Sequence, residues 1–366
     1  MISLNRLLKA MLENKATDMH ISVGCSPSFR INGRLVRAKL PSINPTEAKE
    51  ICYSVLTERQ KAVLENDKQI DLSFGVKNLA RFRANIFYQR GALAGAFRHI
   101  PFDIPKVTSL LLPPIIQDLV HRPKGLILVT GPTGSGKTTT LASMIDYLND
   151  HRSYHILTIE DPIEYIHSHR KSIINQRELG LDTLSFDSAL RASLREDPDI
   201  VALGEMRDQT TVETALVLAE TGHLVFSSLH TSGAYQTINR IIQSFPPNYQ
   251  DQIRMQLSLT LEGVISQLLL PRKDKQGLAL AAEVMIPNPS IRNLIRENKL
   301  HQIPSAMVLN QNETGMINLN QSLERLVIDD IVEEGDAIAA SPDPGELVSA
   351  LGLSQVKKAS HRGRKL

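Results

Sequence analysis

Residues 126–138 read Leu126-Ile127-Leu128-Val129-Thr130-Gly131-Pro132-Thr133-Gly134-Ser135-Gly136-Lys137-Thr138. The apolar run predicts a buried strand, and the glycine-rich stretch after it fits the phosphate-loop pattern GxxxxGK[ST]. Its glycines let successive backbone N–H groups point at phosphate oxygens. Apolar residues then recur at helical spacing over 141–148, which predicts a helix whose amino end strengthens the anion site. Strand, loop and helix together predict a nucleoside triphosphate site.

The residue types of this loop suggest individual roles. In such loops the lysine reaches the β- and γ-phosphates, and the hydroxyl that follows it ligates Mg²⁺. We therefore expect ATP and Mg²⁺ to bind, with Lys137 taking part in catalysis and Thr138 on the metal. The predicted ATP-binding residues are Gly131, Pro132, Thr133, Gly134, Ser135, Gly136, Lys137, Thr138 and Thr139.

Length and composition narrow the class of protein. The 366 residues predict two or three domains. A net charge of +2 and an aromatic content of 4% give no case for a nucleic-acid partner. Cys25 and Cys52 are too few for a four-cysteine zinc site, so no zinc is expected. No stretch approaches the roughly 18 apolar residues of a membrane span and no signal peptide opens the chain, so we expect a cytoplasmic protein.

Residues 1–99 are predicted to form a first domain. Short β-rich runs flank a helical stretch at 46–65, and Asn32-Gly33 predicts a tight hairpin. The amphipathic residues 2–12 are expected to pack on this domain, with a membrane-surface helix as the alternative. Prolines then predict a linker over 100–114, because they continue neither a helix nor a central strand.

Residues 115–366 show the alternation that is typical of an α/β domain. Helical patterns separate four strand-like runs, which predicts a mainly parallel sheet covered by helices. The chain is expected to be helical from about 270 to 350 and to end in a basic, frayed tail. The four runs are 126–129, 155–159, 200–203 and 224–227.

Acidic residues follow two of these runs. Because ligands gather at the carboxyl ends of parallel strands, Glu160 and Glu164 are candidates for holding hydrated Mg²⁺ or a water molecule. The alternative is a solvated loop or a helix cap. Glu205 follows the run at 200–203 and is the candidate for the water shell of Mg²⁺.

Two histidines and a charged pair lie close to the same strand ends. His230 follows the run at 224–227 and is placed to sense a γ-phosphate, with a purely structural histidine as the alternative. His223 precedes that run and is a further possible site residue. Arg207 and Asp208 are interpreted as an ordinary surface pair.

Taken together, these segments resemble the secretion ATPase superfamily, which powers type II secretion and type IV pili. The superfamily's acidic box ends in EDPxE, as in Glu160–Glu164, and its LRxxLRxDPD and GExRD segments match Leu190–Asp199 and Gly204–Asp208. Its histidine box ends in LHT, as in Leu229–Thr231. Asp18–Ile21 is similar to its SDLHL signature, so the resemblance covers nearly the whole chain.

Within the superfamily, the stretch Ser290–Glu297 resembles the AIRNLIRE signature of the type IV pilus retraction ATPases, the PilT family, with Ser290 in place of alanine. Read by itself, this stretch predicts an amphipathic helix with its isoleucines and Leu294 turned inward. The resemblance implies a helix that couples ATP state to force. Its residues are Ile291, Arg292, Asn293, Leu294, Ile295 and Arg296.

The resemblance also implies an architecture and partners. It implies a PAS-like α+β N-terminal domain followed by a RecA-like P-loop NTPase domain with a helical C-terminal region. The ring would be a homohexamer at the inner-membrane base of the pilus machine. Its partners would be the inner-membrane platform protein and, indirectly, pilin.

Catalytic roles follow from the same resemblance. Glu164 would activate the attacking water, and Glu205 and His230 would complete the site. Arg83 and Arg98 match the N-terminal arginine fingers of the family. The remaining possible site residues are Arg81, Glu160, His223 and Arg195. Arg81 and Arg83 alternate on one strand and so share a face, for which an exposed polar sheet face is the alternative.

Three other functions stay open from the sequence. A pilus extension or type II secretion ATPase is disfavoured by the short N-terminal region and by the lack of a four-cysteine zinc element. An accessory retraction ATPase of the same superfamily is harder to separate. A RecA-type nucleic-acid motor would need a basic track or stacking aromatics.

Overall fold

The computed structural model describes residues 3–31, 33–77, 79–100, 103–275, 277–309 and 311–353, without the side chains of 312 and 313. The chain divides into two compact units: Met1–Asp103 with Glu164–Ile166, and Ile104–Ile163 with His167–Leu366. Four predicted features lie wholly or partly outside the described residues. They are Ile2 of the amphipathic start, Asn32 of the hairpin, Pro101 and Phe102 of the linker, and the basic tail.

In its described residues, the first unit is an antiparallel sheet with three helices. Its helices are α1 (Leu4–Glu13), α2 (Pro45–Tyr53) and α3 (Glu58–Asp67). Its strands are β1 (Asp18–Ile21), β2 (Ser28–Ile31), β3 (Arg34–Arg37), β4 (Gln69–Val76), β5 (Ala80–Gln89) and β6 (Ala92–Ile100). They pair in the order β3-β2-β1-β6-β5-β4, so the signature strand β1 lies at the centre beside β6.

Apolar patterning explains how this unit packs. Helix α1 buries Leu4, Leu7, Leu8 and Met11 in the core of the unit, which confirms the expected packing of the amphipathic start.

The prediction of a single helical stretch over residues 46–65 is wrong, because the structure has two helices there, α2 and α3. A first capping box, Asn44 with Glu47, starts α2, and a second one, in which Thr57 and Gln60 exchange hydrogen bonds, starts α3.

The second unit contains a seven-stranded sheet. Its strands are β7 (Gly125–Thr130), β8 (His155–Glu160), β9 (Ile173–Glu178), β10 (Ile200–Leu203), β11 (Leu224–Leu229), β12 (Leu261–Pro271) and β13 (Leu278–Met285). Their order is β13-β12-β7-β11-β10-β8-β9, and every pair is parallel except β12 with β13. The predicted, mainly parallel sheet is therefore confirmed. All of β7, β10 and β11 is buried, as continuous apolar strands of a covered sheet require.

Helices surround this sheet. Those within the strand alternation are α4 (Ile115–Leu119), α5 (Lys137–His151), α6 (Phe186–Ser193), α7 (Gln209–Glu220), α8 (Ala234–Gln243) and α9 (Gln250–Thr260). The later ones are α10 (Pro289–Arg296), α11 (Ile303–Leu309), α12 (Gln311–Thr314), α13 (Leu319–Ile328), α14 (Glu334–Ala340) and α15 (Pro344–Ala350). No helix among the described residues has the length and apolar character needed to cross a membrane.

The C-terminal region begins later than expected. The prediction of helices from about residue 270 is wrong for 278–285, which form the strand β13. This strand adds antiparallel to β12, and Ala279 and Ala281 let α13 to α15 pack closely on it. The continuous helical region starts at Pro289.

The segment that enters the second unit is held on helix α5. The Lys106 ammonium lies 2.8 Å from Asp150 and 3.2 Å from the buried Asp146, both on α5. The Ser143 hydroxyl donates to the carbonyl of Pro105 at 2.7 Å. The later part of the predicted linker is thus fixed to the helix that carries the phosphate loop.

Candidate nucleotide site

The phosphate loop follows the buried strand β7, between its parallel neighbours β11 and β12. Gly131, Gly134 and Gly136 have φ values of 143°, 81° and 86°. A side chain at Gly131 is excluded twice, since its Cβ would lie 2.4 Å from the Gln267 carbonyl and 2.5 Å from the Ser135 hydroxyl. Backbone conformation and close packing therefore both require glycine there.

Lys137 begins helix α5 and folds back over its own loop. Its ammonium donates to the carbonyls of Gly131 at 2.8 Å and Pro132 at 3.0 Å, and it lies 3.3 Å from Nδ1 of His230. An ammonium only donates, so Nδ1 of His230 must accept, and the ring proton then resides on Nε2. This Nε2 lies 3.2 Å from Glu205, so His230 links the loop lysine to the acid.

Glu205 is held by β11 and by an arginine. The Ser228 hydroxyl donates to the Gly204 carbonyl at 2.6 Å, and the Met206 amide donates to the Ser228 carbonyl at 3.1 Å, so the backbone on both sides of Glu205 is fixed. Arg207 donates to Glu205 at 3.0 Å and to Asp161 at 3.3 Å. Arg207 therefore connects Glu205 to Asp161 of the acidic box, and the alternative of an ordinary surface pair with Asp208 does not describe these contacts.

Buried polar atoms around the loop suit a polar ligand. Within the described residues, the Thr130 and Ser135 hydroxyls and the side-chain oxygen Oε1 of Gln267 are buried without a hydrogen-bond partner. Such atoms are rare in protein interiors and call for a ligand or water. No group of three or more His, Cys, Asp or Glu that could hold a metal occurs in the described part of the chain.

The acidic box lies at the end of β8. Glu160 accepts from the Thr158 hydroxyl at 2.6 Å and from Gln176 at 3.1 Å, which places it at the same strand edge as the loop. Glu164 is exposed and groups with the first unit. Nearby His167 is buried, and burial lowers the pKa of its ring to about 4.

Two of the possible site residues lie near the amino ends of the parallel strands, whereas the phosphate loop lies at their carboxyl ends. His223 precedes β11, and its Nδ1 lies 3.1 Å from the Leu218 carbonyl. Arg195 is exposed in the connection that precedes β10. The DPD segment that follows Arg195 connects the beginnings of β8 and β10, because Asp199 accepts a hydrogen bond from the His155 amide at 2.8 Å. The structure therefore does not bring His223 or Arg195 to the phosphate loop.

The N-terminal arginines lie on the half-exposed face of the first unit's sheet. Arg81 and Arg83 alternate on β5 with the buried Phe82, as predicted. Arg83 is directly opposite Arg98 on β6, an arrangement of like charges that needs compensation. Asp71 lies 3.9 Å from Arg83, and Asp18 lies 2.8 Å from Arg98.

Asp18 is the acid of the β1 signature, and its environment favours the charged form. Burial works to raise its pKa, but hydrogen bonds from Thr17 and Arg98 outweigh burial and lower it. Arg98 is therefore held beside a carboxylate at the centre of the sheet.

The predicted coupling helix is α10. Ile291 and Ile295 are fully buried and Leu294 is half-buried, while Asn293 and Arg296 are exposed, as the amphipathic pattern indicates. Arg292 is the exception on the polar side, because it is half-buried and hydrogen-bonded to Glu262 at 2.7 Å.

Sequence reasoning missed two roles in this unit. Gln267 has no local signal, yet it lies against Gly131 and donates to the Thr140 hydroxyl at 2.7 Å. Asp208 caps helix α7 by accepting from the Thr211 amide at 2.8 Å, a role that the Asp before a helix could have signalled.

Comparison with known proteins identifies relatives along most of the chain. The family described as "Type II/IV secretion system protein" matches residues 98–334. A twitching motility protein of Neisseria gonorrhoeae is 47% identical over 303 residues, which are 83% of this chain and 81% of the relative. The type IV pilus retraction ATPase PilT of Pseudomonas aeruginosa is 43% identical over 336 residues, 92% of this chain and 97% of the relative.

A solved structure extends the similarity to the fold. The crystal structure of the pilus retraction motor PilT with bound ADP superposes with a TM-score of 0.89 at 52% identity, covering 94% of this chain and 99% of the other. The predicted fold class is thereby confirmed. The chain belongs to the type II/IV secretion system ATPases and, within them, to the PilT family.

Proposed function

We propose that this protein is an ATP-hydrolysing motor that drives type IV pilus retraction. The observation that carries the proposal is the contact series from Lys137 through His230 to Glu205 at the phosphate loop. The names of the relatives, a retraction ATPase and a twitching motility protein, supply the cellular task.

The loop and its lysine would bind the phosphates. The backbone N–H groups of Thr133, Gly134 and Gly136 and the amino end of α5 would present donors, and Lys137 supplies a positive charge. Thr138 and, through water, Glu205 would hold Mg²⁺, which neutralises charge on the β- and γ-phosphates when bound. A cavity of about 410 Å³ lined by Glu205, Arg207, His230 and Thr231 adjoins this position.

His230 is suited to report the γ-phosphate. Its Nδ1 accepts from Lys137, and its Nε2 faces Glu205. When Lys137 turns to phosphate oxygens, Nδ1 loses that donor and His230 must find another partner. Binding or loss of the γ-phosphate would thus change the environment of Glu205 through the imidazole ring of His230.

Two further roles rest on the family resemblance. Glu164 would orient and deprotonate the attacking water. Arg83 and Arg98 would neutralise charge on the transferred phosphoryl group, an effect of about 10³–10⁵-fold in other arginine-finger systems. Loss of the γ-phosphate would release the N-terminal domain and convert closure into motion.

The assembly would be a homohexamer in the cytoplasm, at the inner-membrane base of the pilus machine. It would act on the platform protein and, through it, on pilin.

Substitutions of Glu164 and Lys137 test the enzymology. Glu164→Gln should bind ATP at near wild-type affinity and lose most hydrolysis, since only the water-activating group changes. Lys137→Ala should lose both ATP binding and hydrolysis. Fluorescent-nucleotide titration and phosphate release measure the two quantities. Near-normal turnover of Glu164→Gln would remove the role of Glu164 as the base.

A deletion strain tests the cellular task. Many surface pili that do not retract are the expected phenotype. A strain without pili would instead indicate an extension ATPase, and retained twitching with weakened force would indicate an accessory motor. Hydrolysis stimulated by DNA would favour a nucleic-acid motor.

A further inference from the structure

Glu262 lies at the amino end of strand β12, at the end of the large sheet that is remote from the phosphate loop. It is the second residue of β12, beside the first residues of β7. One carboxylate oxygen lies 2.7 Å from Arg292 of helix α10, and the other lies 3.4 Å from Arg122. The side chains of Glu262 and Arg292 are only 18% and 24% exposed, against 47% for Arg122, so the pair with Arg292 is the more shielded of the two.

Arg292 joins three elements through one guanidinium group. Besides Glu262, it donates to the carbonyls of Ser258 at 2.8 Å and Leu259 at 3.3 Å, near the carboxyl end of α9. These carbonyls have no partner within their own helix turn and carry the negative end of its dipole. Arg292 therefore fixes α10 to both α9 and β12.

Glu262 also touches the strand that leads to the phosphate loop. A Cβ at Gly125, the first residue of β7, would lie 2.5 Å from Cγ of Glu262, so the Glu262 side chain lies directly against that backbone. Gly125 has a φ of 118°, which, together with this contact, requires glycine.

Strand β12 then runs from Glu262 to the nucleotide site. Five residues further, about 17 Å at 3.3 Å per residue, Gln267 lies against Gly131 and donates to Thr140 of α5 at 2.7 Å. The strand is hydrogen-bonded to β7 on one side and β13 on the other. β7 pairs with residues 261–266, with a register shift between Leu261 and Gly263, and β13 pairs with residues 264–271, so the strand between Glu262 and Gln267 is held by at least one neighbour.

We infer that Glu262 is the positioning residue that connects the coupling helix to the phosphate loop. Rearrangement of the loop moves Gln267 and hence β12, and the Glu262–Arg292 pair transfers that movement to α10. Without the pair, α10 keeps the hydrogen bonds from Arg292 to α9 and the apolar contacts of Ile291 and Ile295, but it loses its ion pair with β12. The inference rests on the proposed function, because it assigns a route for the coupling.

Hydrogen exchange in the full-length protein tests the route. We compare amide exchange of residues 289–297 with ADP and with a non-hydrolysable ATP analogue, in wild type, Glu262→Gln, Arg292→Gln and the double variant. Arg122→Gln is the matched control, since it removes the more exposed partner of the same carboxylate. Nucleotide affinity is measured for each protein in parallel.

The expected wild-type difference between the two nucleotides is about fivefold or more in exchange rate, the lower end of typical site-to-site coupling. Glu262→Gln and Arg292→Gln should each reduce it to less than about twofold with unchanged nucleotide affinity. The double variant should be no worse than either single one, and Arg122→Gln should keep the difference.

Other results would overturn the inference in distinguishable ways. Nucleotide binding and hydrolysis without any change at 289–297 in the wild type would leave the ATPase proposal standing and remove the route. A Glu262→Gln protein that keeps the difference, or that loses nucleotide affinity, would show that Glu262 is not the connection. Additive losses in the double variant would show that the two residues act separately. Failure of the wild type to bind nucleotide would contradict the proposed function itself.

Discussion

Substitution of Gly131 by alanine tests the packing of the phosphate loop most directly. The new Cβ would lie 2.4 Å from the Gln267 carbonyl, and 3.0 Å is the shortest separation that real Cβ atoms show, so the loop and β12 must separate by at least 0.6 Å. The obstacle is backbone in a central strand pair, which cannot rotate away as a side-chain tip would. The φ of 143° adds strain for any residue with a side chain.

The expected loss of activity follows from the backbone strain at residue 131 and from the displacement of the loop. A backbone conformation that is nearly exclusive to glycine costs about 1–3 kcal/mol. A displacement approaching 1 Å in a positioning element costs about 100-fold in rate. We therefore expect kcat/KM for ATP hydrolysis to fall by about 100-fold or more.

Gly134→Ala is the matched control. Gly134 lies in the same loop with a φ of 81°, but a Cβ there would meet nothing within 4 Å. Only the left-handed conformation costs energy, about 1–2 kcal/mol, so a loss of about tenfold is expected. Steady-state phosphate release with purified full-length proteins measures both. A Gly131→Ala enzyme within tenfold of wild type, or no worse than Gly134→Ala, would refute the steric reasoning.

Two further predictions concern stability. Because burial lowers the pKa of His167 from 6.5 to about 4, the folded state resists its protonation. Above pH 6.5, His167 is neutral in both the folded and the unfolded state and does not change the free energy of unfolding. As the pH falls to 4, protonation of His167 in the unfolded state lowers the free energy of unfolding by about 3 kcal/mol. His167→Gln should show a shallower loss of thermal stability over that range, and equal pH profiles would contradict the idea. Asp208→Ala should destabilise the ATPase unit by about 1 kcal/mol through loss of the α7 cap, whereas Asp208→Asn should restore it. Thermal unfolding measures both, and indistinguishable Ala and Asn variants would argue against a cap.

Local patterns predicted much of the fold. Strand β7, its loop and α5 are where the motif placed them, and β10 has the bounds of the apolar run at 200–203. Helix α10 buries the face that its periodicity indicated. The errors arose where local signals compete, as at the second capping box before α3. They also arose where an apolar run, as in β13, suits a strand or a helix equally.

The amino-acid sequence by itself determined that this chain binds a nucleotide through a glycine loop, because loop conformation, helix capping and apolar periodicity act over a few neighbouring residues. Only the tertiary structure decided which distant side chains meet. Strand order and register placed Gln267 against Gly131 and left His223 and Arg195 at the amino ends of the strands, and the packing of α10 placed Arg292 against Glu262. The physical reason is that pairing between remote strands and packing of a helix on them set these contacts, and no local pattern encodes the partner of a strand or a helix.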